Sequence, residues 1–129
     1  MFTPRDLRFT RTHEWVRMED DRLVVGISDF AQQQLSDITN IELPEMEHHH
    51  YATREEAGVI ESIKTATDYH IPVSGEIVEV NTDLLISPEL LNSDPYGEGL
   101  IFRMVADDLA ELDELMNPDE YDHYLPEED

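Results

Sequence analysis

Two β-prone runs with polar edges open the legible part of the chain: Glu14-Trp15-Val16-Arg17-Met18-Glu19 and Arg22-Leu23-Val24-Val25-Gly26-Ile27. Only Asp20-Asp21 separates them, which predicts an antiparallel hairpin with a short acidic turn. Ser28 then reads as the N-cap of a short helix over 29–35, with Asp29 in its first turn. Residues 38–43 read as a strand stopped by Pro44, and 45–56 as a polar loop or irregular pairing that contains His48-His49-His50. Residues 58–63 form a strand with apolar residues on both faces, as in a sandwich layer, and 64–68 are polar and turn-like. Residues 69–75 lead into an alternating strand over 76–81, so the pattern predicts a hairpin over about 58–81.

Beyond it, Pro88 starts one or two helical turns over 88–92, residues 94–99 make a tight loop, and 100–105 form the last strand. The C-terminal part, about 108–124, reads as two short helices over 109–116 and 118–124, the second capped by Asn117, before an acidic tail at 125–129. Short strands with turn signals and marginal helices predict a mainly β fold, a sandwich or flattened barrel with a C-terminal helical segment. No internal boundary is visible, so residues 1–129 are expected to form one domain.

Composition sharpens this picture. The chain has 31 Asp and Glu against 8 Lys and Arg, for a formal charge of −23, yet 40% of its residues are hydrophobic, enough for a core. Such a field repels phosphate backbones and anionic lipids, which argues against nucleic-acid and membrane-surface partners. There is no run of 18 apolar residues and no secretory signal pattern over 1–10, so a cytoplasmic protein is expected. The absence of cysteine excludes disulfides, thiolate metal sites and a cysteine nucleophile. It leaves open thiol chemistry supplied by a cofactor.

Of the eight basic side chains, seven are arginines and one is lysine, Lys64. It follows the strand over 58–63, at or beside a hairpin tip. A tip residue projects from the body and can enter another enzyme's active site, while the flanking strands fix its position. That suits a modification point better than a catalytic lysine, which is usually desolvated in a pocket.

The residues around Lys64 resemble a known family, the lipoyl-carrying H protein of the glycine cleavage system. Thr12-His13-Glu14-Trp15-Val16 looks like its opening signature, and Gly26-Ile27-Ser28-Asp29-Phe30-Ala31-Gln32 follows. Gly58-Val59-Ile60-Glu61-Ser62-Ile63-Lys64 resembles the lipoylation motif, with Ile63 for the usual valine. Pro72-Val73-Ser74-Gly75-Glu76-Ile77-Val78-Glu79-Val80-Asn81 and Asp94-Pro95-Tyr96-Gly97-Glu98-Gly99 match closely. Ser36 and Leu100 stand where the family usually has glycine and tryptophan, and residues 46–56 lack its usual glycines.

The resemblance implies a lipoyl-domain-like barrel-sandwich hybrid and a monomeric carrier rather than an enzyme. Lipoate would be held in amide linkage on Lys64. The arm would accept an aminomethyl group from glycine at the pyridoxal-phosphate-dependent glycine decarboxylase (P protein) and present it to the tetrahydrofolate-dependent aminomethyltransferase (T protein). Dihydrolipoamide dehydrogenase (L protein) would then reoxidise it. A lipoyl or octanoyl transferase, or a lipoate ligase, would install the group. Residue by residue, Glu14 and Asp68 are candidates for holding the cationic amine in an arm cleft, Thr12 for a supporting hydrogen bond, and Glu61 for recognition by the lipoylating enzyme. All reactive sulfur would then lie on the arm, consistent with a chain without thiols.

Blander readings stand beside these. Glu14 and Glu61 also read as solvent-facing strand residues and Asp68 as a turn former. The three consecutive histidines point in different directions in an extended chain and have no completing carboxylates, so a loop is expected rather than a metal site. His13 and His70 read as packing or hydrogen-bonding residues and Trp15 as core. The alternative functions are an H-like relay of lipoyl groups, a biotinyl or 2-oxo acid dehydrogenase lipoyl carrier, and an unmodified acidic interaction module. Ile63 and Thr65 beside the lysine differ from the Met-Lys-Met and Asp-Lys-Ala tips of those other carriers.

Overall fold

A computed structural model describes residues 6–45 and 50–126. Among these, nine antiparallel strands form two sheets that do not close on each other. In chain order they are β1 (Arg8–Phe9), β2 (Glu14–Glu19), β3 (Arg22–Ile27), β4 (Ile38–Ile41), β5 (His50–Tyr51), β6 (Glu56–Ser62), β7 (Ala66–His70), β8 (Gly75–Val80) and β9 (Phe102–Ala106). The larger sheet runs β1-β2-β3-β9-β8-β5 and the smaller β4-β6-β7. Helices are short: α1 (Asp29–Leu35), α2 (Asp83–Ile86), α3 (Leu90–Ser93), a 3-10 helix (Leu109–Glu114) and α4 (Pro118–Tyr124). The mainly β fold with peripheral helices and a C-terminal helical segment is thus the observed one.

The β2–β3 hairpin has the expected bounds, with Glu14 opposite Ile27 and Glu19 opposite Arg22. Asp20 makes its turn at φ 56, a left-handed conformation that Asp tolerates better than most residues. This ribbon is apolar on both faces because both are covered. On one face Val16, Leu23 and Val25 join Ile41, Ile60, Tyr69, Ile77 and Met104 in the main core. On the other, Trp15 and Val24 pack with Leu7, Phe9 and Tyr121 under α4. Alternation along a strand sends neighbouring side chains to these two clusters.

Helix α1 is capped by Ser28, whose Oγ accepts from the Ala31 N–H. Asn92 then ties α1, α3 and β4 together: its Oδ1 accepts from the Ile38 N–H and its Nδ2 donates to the Ser36 carbonyl. Strand β4 ends at Ile41, before the expected 43, since Glu42 pairs through its N–H with Val59 after a register shift. Gly58 faces the Glu42 carbonyl so closely that an added Cβ would lie 2.1 Å from it, which fixes a glycine there.

The partner of the strand before Lys64 differs from expectation. Residues 66–70, expected to be mostly turn, form β7, which pairs with β6 along its length. The hairpin is therefore 56–70, and β8, expected as its second strand, lies in the other sheet beside β9. Polarity misleads here because Ala66, Thr67 and Asp68 are all exposed and only Tyr69 points into the core. The region over 109–116 is a 3-10 turn rather than an α-helix, with none of its residues fully buried. The helical turns expected over 88–92 fall at Leu90–Ser93, preceded by the unexpected α2. In the polar region over 45–56, Tyr51 and His50 pair with β8 as an edge strand, while His48 and His49 lie outside the described residues.

Candidate functional site

Lys64 sits at the tip of the β6–β7 hairpin, exposed between Ile63 and Thr65. The tip is closed by Ser62, whose N–H donates to the Thr65 carbonyl and whose Oγ accepts from the N–H groups of Lys64 and Thr65. The Ile63 N–H donates to the Asp37 carbonyl, which ties one side of the tip to the approach of β4. Ile63 itself is 69% exposed, an apolar side chain beside the amine. A long arm attached at Lys64 would have a rigid root and unobstructed reach.

A cleft of about 260 Å³ starts beside this tip. Residues 65–68 form its near wall, α1 contributes Phe30 and Ala31, and Thr12 and Glu14 lie on its far side. Of the residues expected to form an arm cleft, the structure brings Thr12, Glu14 and Asp68 to one cavity. Glu61 stands apart: it is exposed on β6, and its Oε1 accepts from the Asn40 Nδ2 at 3.2 Å.

Glu14 is the unusual group. Its side chain is 1% exposed, at the start of β2, in a chain whose other acids are mostly solvated. Oε1 accepts hydrogen bonds from the hydroxyls of Thr10 and Thr12, each at 2.5 Å. Oε2 accepts from the His70 N–H at 3.1 Å. Burial raises the carboxyl's pKa, and the two hydroxyls and the His70 amide oppose that rise by favouring the ionised form. A buried carboxylate with three hydrogen-bond donors is chemically able to pair with a cation. Asp68, exposed on β7, adds a second negative charge to the same cleft.

The turn that carries these threonines is clamped from behind. His13 adopts φ 75, and its Nδ1 lies 2.7 Å from the Tyr121 hydroxyl of α4. That hydroxyl also meets the Ser28 Oγ at 2.7 Å. The Tyr121 ring stacks on Phe9 with centroids 4.1 Å apart, and Tyr124 donates to the Arg11 carbonyl. Burial lowers the His13 pKa, so the imidazole is a neutral packing partner at physiological pH. Trp15 is fully buried, with its Nε1 donating to the Pro95 carbonyl.

Thr10 and His70 were not expected at the site. No strand period marks Thr10: residues 10–13 form a turn in which the His13 N–H donates to the Thr10 carbonyl, and that turn brings the hydroxyls of Thr10 and Thr12 to Glu14. Along β7, Asp68 and His70 are two residues apart and so share a face. At the other end, His50 forms an exposed pair with Asp107 at 2.6 Å.

An exposed lysine at a hairpin tip, beside a cleft ending in a buried carboxylate, is an arrangement suited to a swinging-arm carrier. The comparisons agree. The family described as Glycine cleavage H-protein matches residues 7–128. A glycine cleavage system H protein of Acinetobacter baylyi is 48% identical over 119 residues, covering 92% of this chain and 95% of that protein. The one of Thermus thermophilus is 48% identical over 128 residues, covering 99% of each. The crystal structure of a glycine cleavage system H protein from Mycobacterium marinum superposes with a TM-score of 0.85 at 33% identity, covering 94% of this chain and 97% of that one. The chain belongs to the glycine cleavage H-protein family.

Proposed function

We propose that Lys64 carries lipoate in amide linkage and that the chain shuttles the one-carbon amine unit of glycine from glycine decarboxylase to the aminomethyltransferase, with dihydrolipoamide dehydrogenase restoring the oxidised arm. The observation that carries this reading is the position of the sole lysine, exposed at the hairpin tip where the Glu14 cleft begins. The residues fit the group: the tip offers one amine, and the cleft beside it combines apolar walls from Phe30 and Ala31 with a polar end. When bound, lipoate supplies the dithiol–disulfide chemistry that carries the unit.

The chain's own residues bind and shelter. Glu14 receives the cargo's ammonium, Asp68 adds a second charge near the mouth, and Thr12 holds the Glu14 carboxylate in place. The walls exclude water, which keeps the ion pair in a low dielectric. Glu61, exposed on the strand leading to Lys64, is offered to the transferase or ligase that installs lipoate. The chain acts as a carrier with no reaction of its own, as a monomer in the cytoplasm.

Intact-mass measurement of the protein from its native host tests this. The expected result is one added lipoyl group, lost in Lys64→Ala; an unmodified native protein would overturn the reading. Reconstitution with the decarboxylase then separates the glycine carrier from a lipoyl relay, because only the former supports glycine–bicarbonate exchange.

A further inference from the structure

Behind Glu14 lies a second, larger cavity of about 510 Å³, which shares Thr12 and Glu14 with the arm cleft. His70 lines this cavity and not the first. Its Nδ1 is the one buried side-chain polar atom among the described residues with no hydrogen-bond partner. It lies 3.6 Å from Glu14 Oε2, too far for a hydrogen bond and close enough for one donor to bridge both atoms. With its proton on Nε2, a neutral His70 presents Nδ1 as an acceptor beside the carboxylate. Two buried acceptors side by side call for a donor, since an unmet buried polar atom is costly.

We propose that the ammonium of the cargo sits between Glu14 Oε2 and His70 Nδ1, with His70 as a cargo-positioning residue. This rests on the reading that Glu14 receives the cargo. Oε1 already accepts two hydrogen bonds, whereas Oε2 accepts one and lies 3.6 Å from His70 Nδ1. An ammonium placed there donates to both acceptors at once.

The test uses the lipoylated protein with labelled histidine, before and after loading by the partner decarboxylase and glycine. Nuclear magnetic resonance of the imidazole nitrogens reads His70, and the Glu14 carboxyl signal is read in parallel. Loading is expected to move the His70 Nδ1 resonance, because the ammonium then donates a hydrogen bond to that nitrogen. A shift at Glu14 with none at His70 overturns the proposal and leaves the Glu14 reading standing. No shift at either overturns both.

Two variants give an independent readout. His70→Leu removes the acceptor, and His70→Asn keeps one near the Nδ1 position without titrating. The cargo remaining after incubation, read by intact mass, should fall about 2- to 10-fold faster in His70→Leu than in the native chain. His70→Asn should retain it nearly as well as the native chain. Equal loss rates in all three proteins would overturn the proposal.

Discussion

The hydroxyl of Tyr121 lies 2.7 Å from His13 Nδ1, and through this contact α4 holds the turn that carries Thr12 and Glu14. The same oxygen reaches Ser28, the cap of α1. The two short helices bounding the site are thereby joined through one buried phenol, whose ring is in turn stacked on Phe9. The C-terminal helix thus acts on the cleft by fixing its far wall.

Tyr121→Phe tests that clamp while keeping the stacked ring. It leaves His13 and Ser28 without their shared partner, at a cost of about 1–2 kcal/mol. Urea denaturation at neutral pH should show this loss in midpoint with little change in slope. The lipoylated variant should also release its cargo faster, since the His13 turn is no longer pinned. A variant as stable as the parent would mean the hydroxyl is satisfied by solvent.

Lys64→Arg separates modification from folding. The residue is exposed at the tip, where its backbone rather than its side chain makes the turn contacts, so stability should stay within about 0.5 kcal/mol. No lipoyl mass should appear, because a guanidinium offers the ligase no amine. Acylation turns an ammonium into a neutral amide and takes the formal charge from −23 to −24. Isoelectric focusing of the native-host protein should therefore place the lipoylated parent at a lower isoelectric point than the variant.

Legibility in the sequence followed burial. The β2–β3 hairpin and α1 were legible because their apolar positions meet covered faces and their turn and cap residues have one local use. Strand β7 was not, since three of its five residues face solvent and tertiary pairing alone makes them extended. Helix α2 escaped notice for a similar reason: Thr82 gives no side-chain cap, and Leu85 and Ile86 point outward. In the site, Lys64 was conspicuous by being alone, whereas Glu14, one acid among many, was picked out by resemblance and not by its surroundings. Its depth of burial depends on His70 and α4 as well as on the neighbouring Thr10, and the first two lie at separations no local pattern connects.

Ser36 offers a local test of the same idea. It ends α1 at φ 64 and ψ −146, a region that suits glycine and strains residues with a Cβ. Its N–H still donates to the Gln32 carbonyl, and its own carbonyl accepts from Asn92, so the conformation is held by the surroundings. Ser36→Gly should relieve the strain and raise stability by about 1 kcal/mol, net of the extra freedom that glycine brings to the unfolded chain. A rise in Tm of a few degrees would register this; a fall would mean that the serine conformation is relaxed.

Glu14→Gln makes the electrostatic cost of the site measurable. Burial raises the carboxyl's pKa in the folded chain above its unfolded value, so the native state binds that proton more tightly. The folded state therefore gains most from Glu14 below the unfolded value. It loses that gain as pH rises through the raised one. Repulsion among the remaining acids is nearly common to both proteins and cancels in their difference. The stability of the parent relative to Glu14→Gln should thus be highest at acid pH, decline as pH rises through the raised carboxyl value and level off above it, as read from urea midpoints. The variant should meanwhile fail to retain cargo, because a neutral amide offers no charge to an ammonium. A difference that is flat with pH would show that the Thr10, Thr12 and His70 bonds fully offset burial. A difference that rises with pH would show that they exceed it, and the carboxylate would then be a stabilising group instead of a strained receptor.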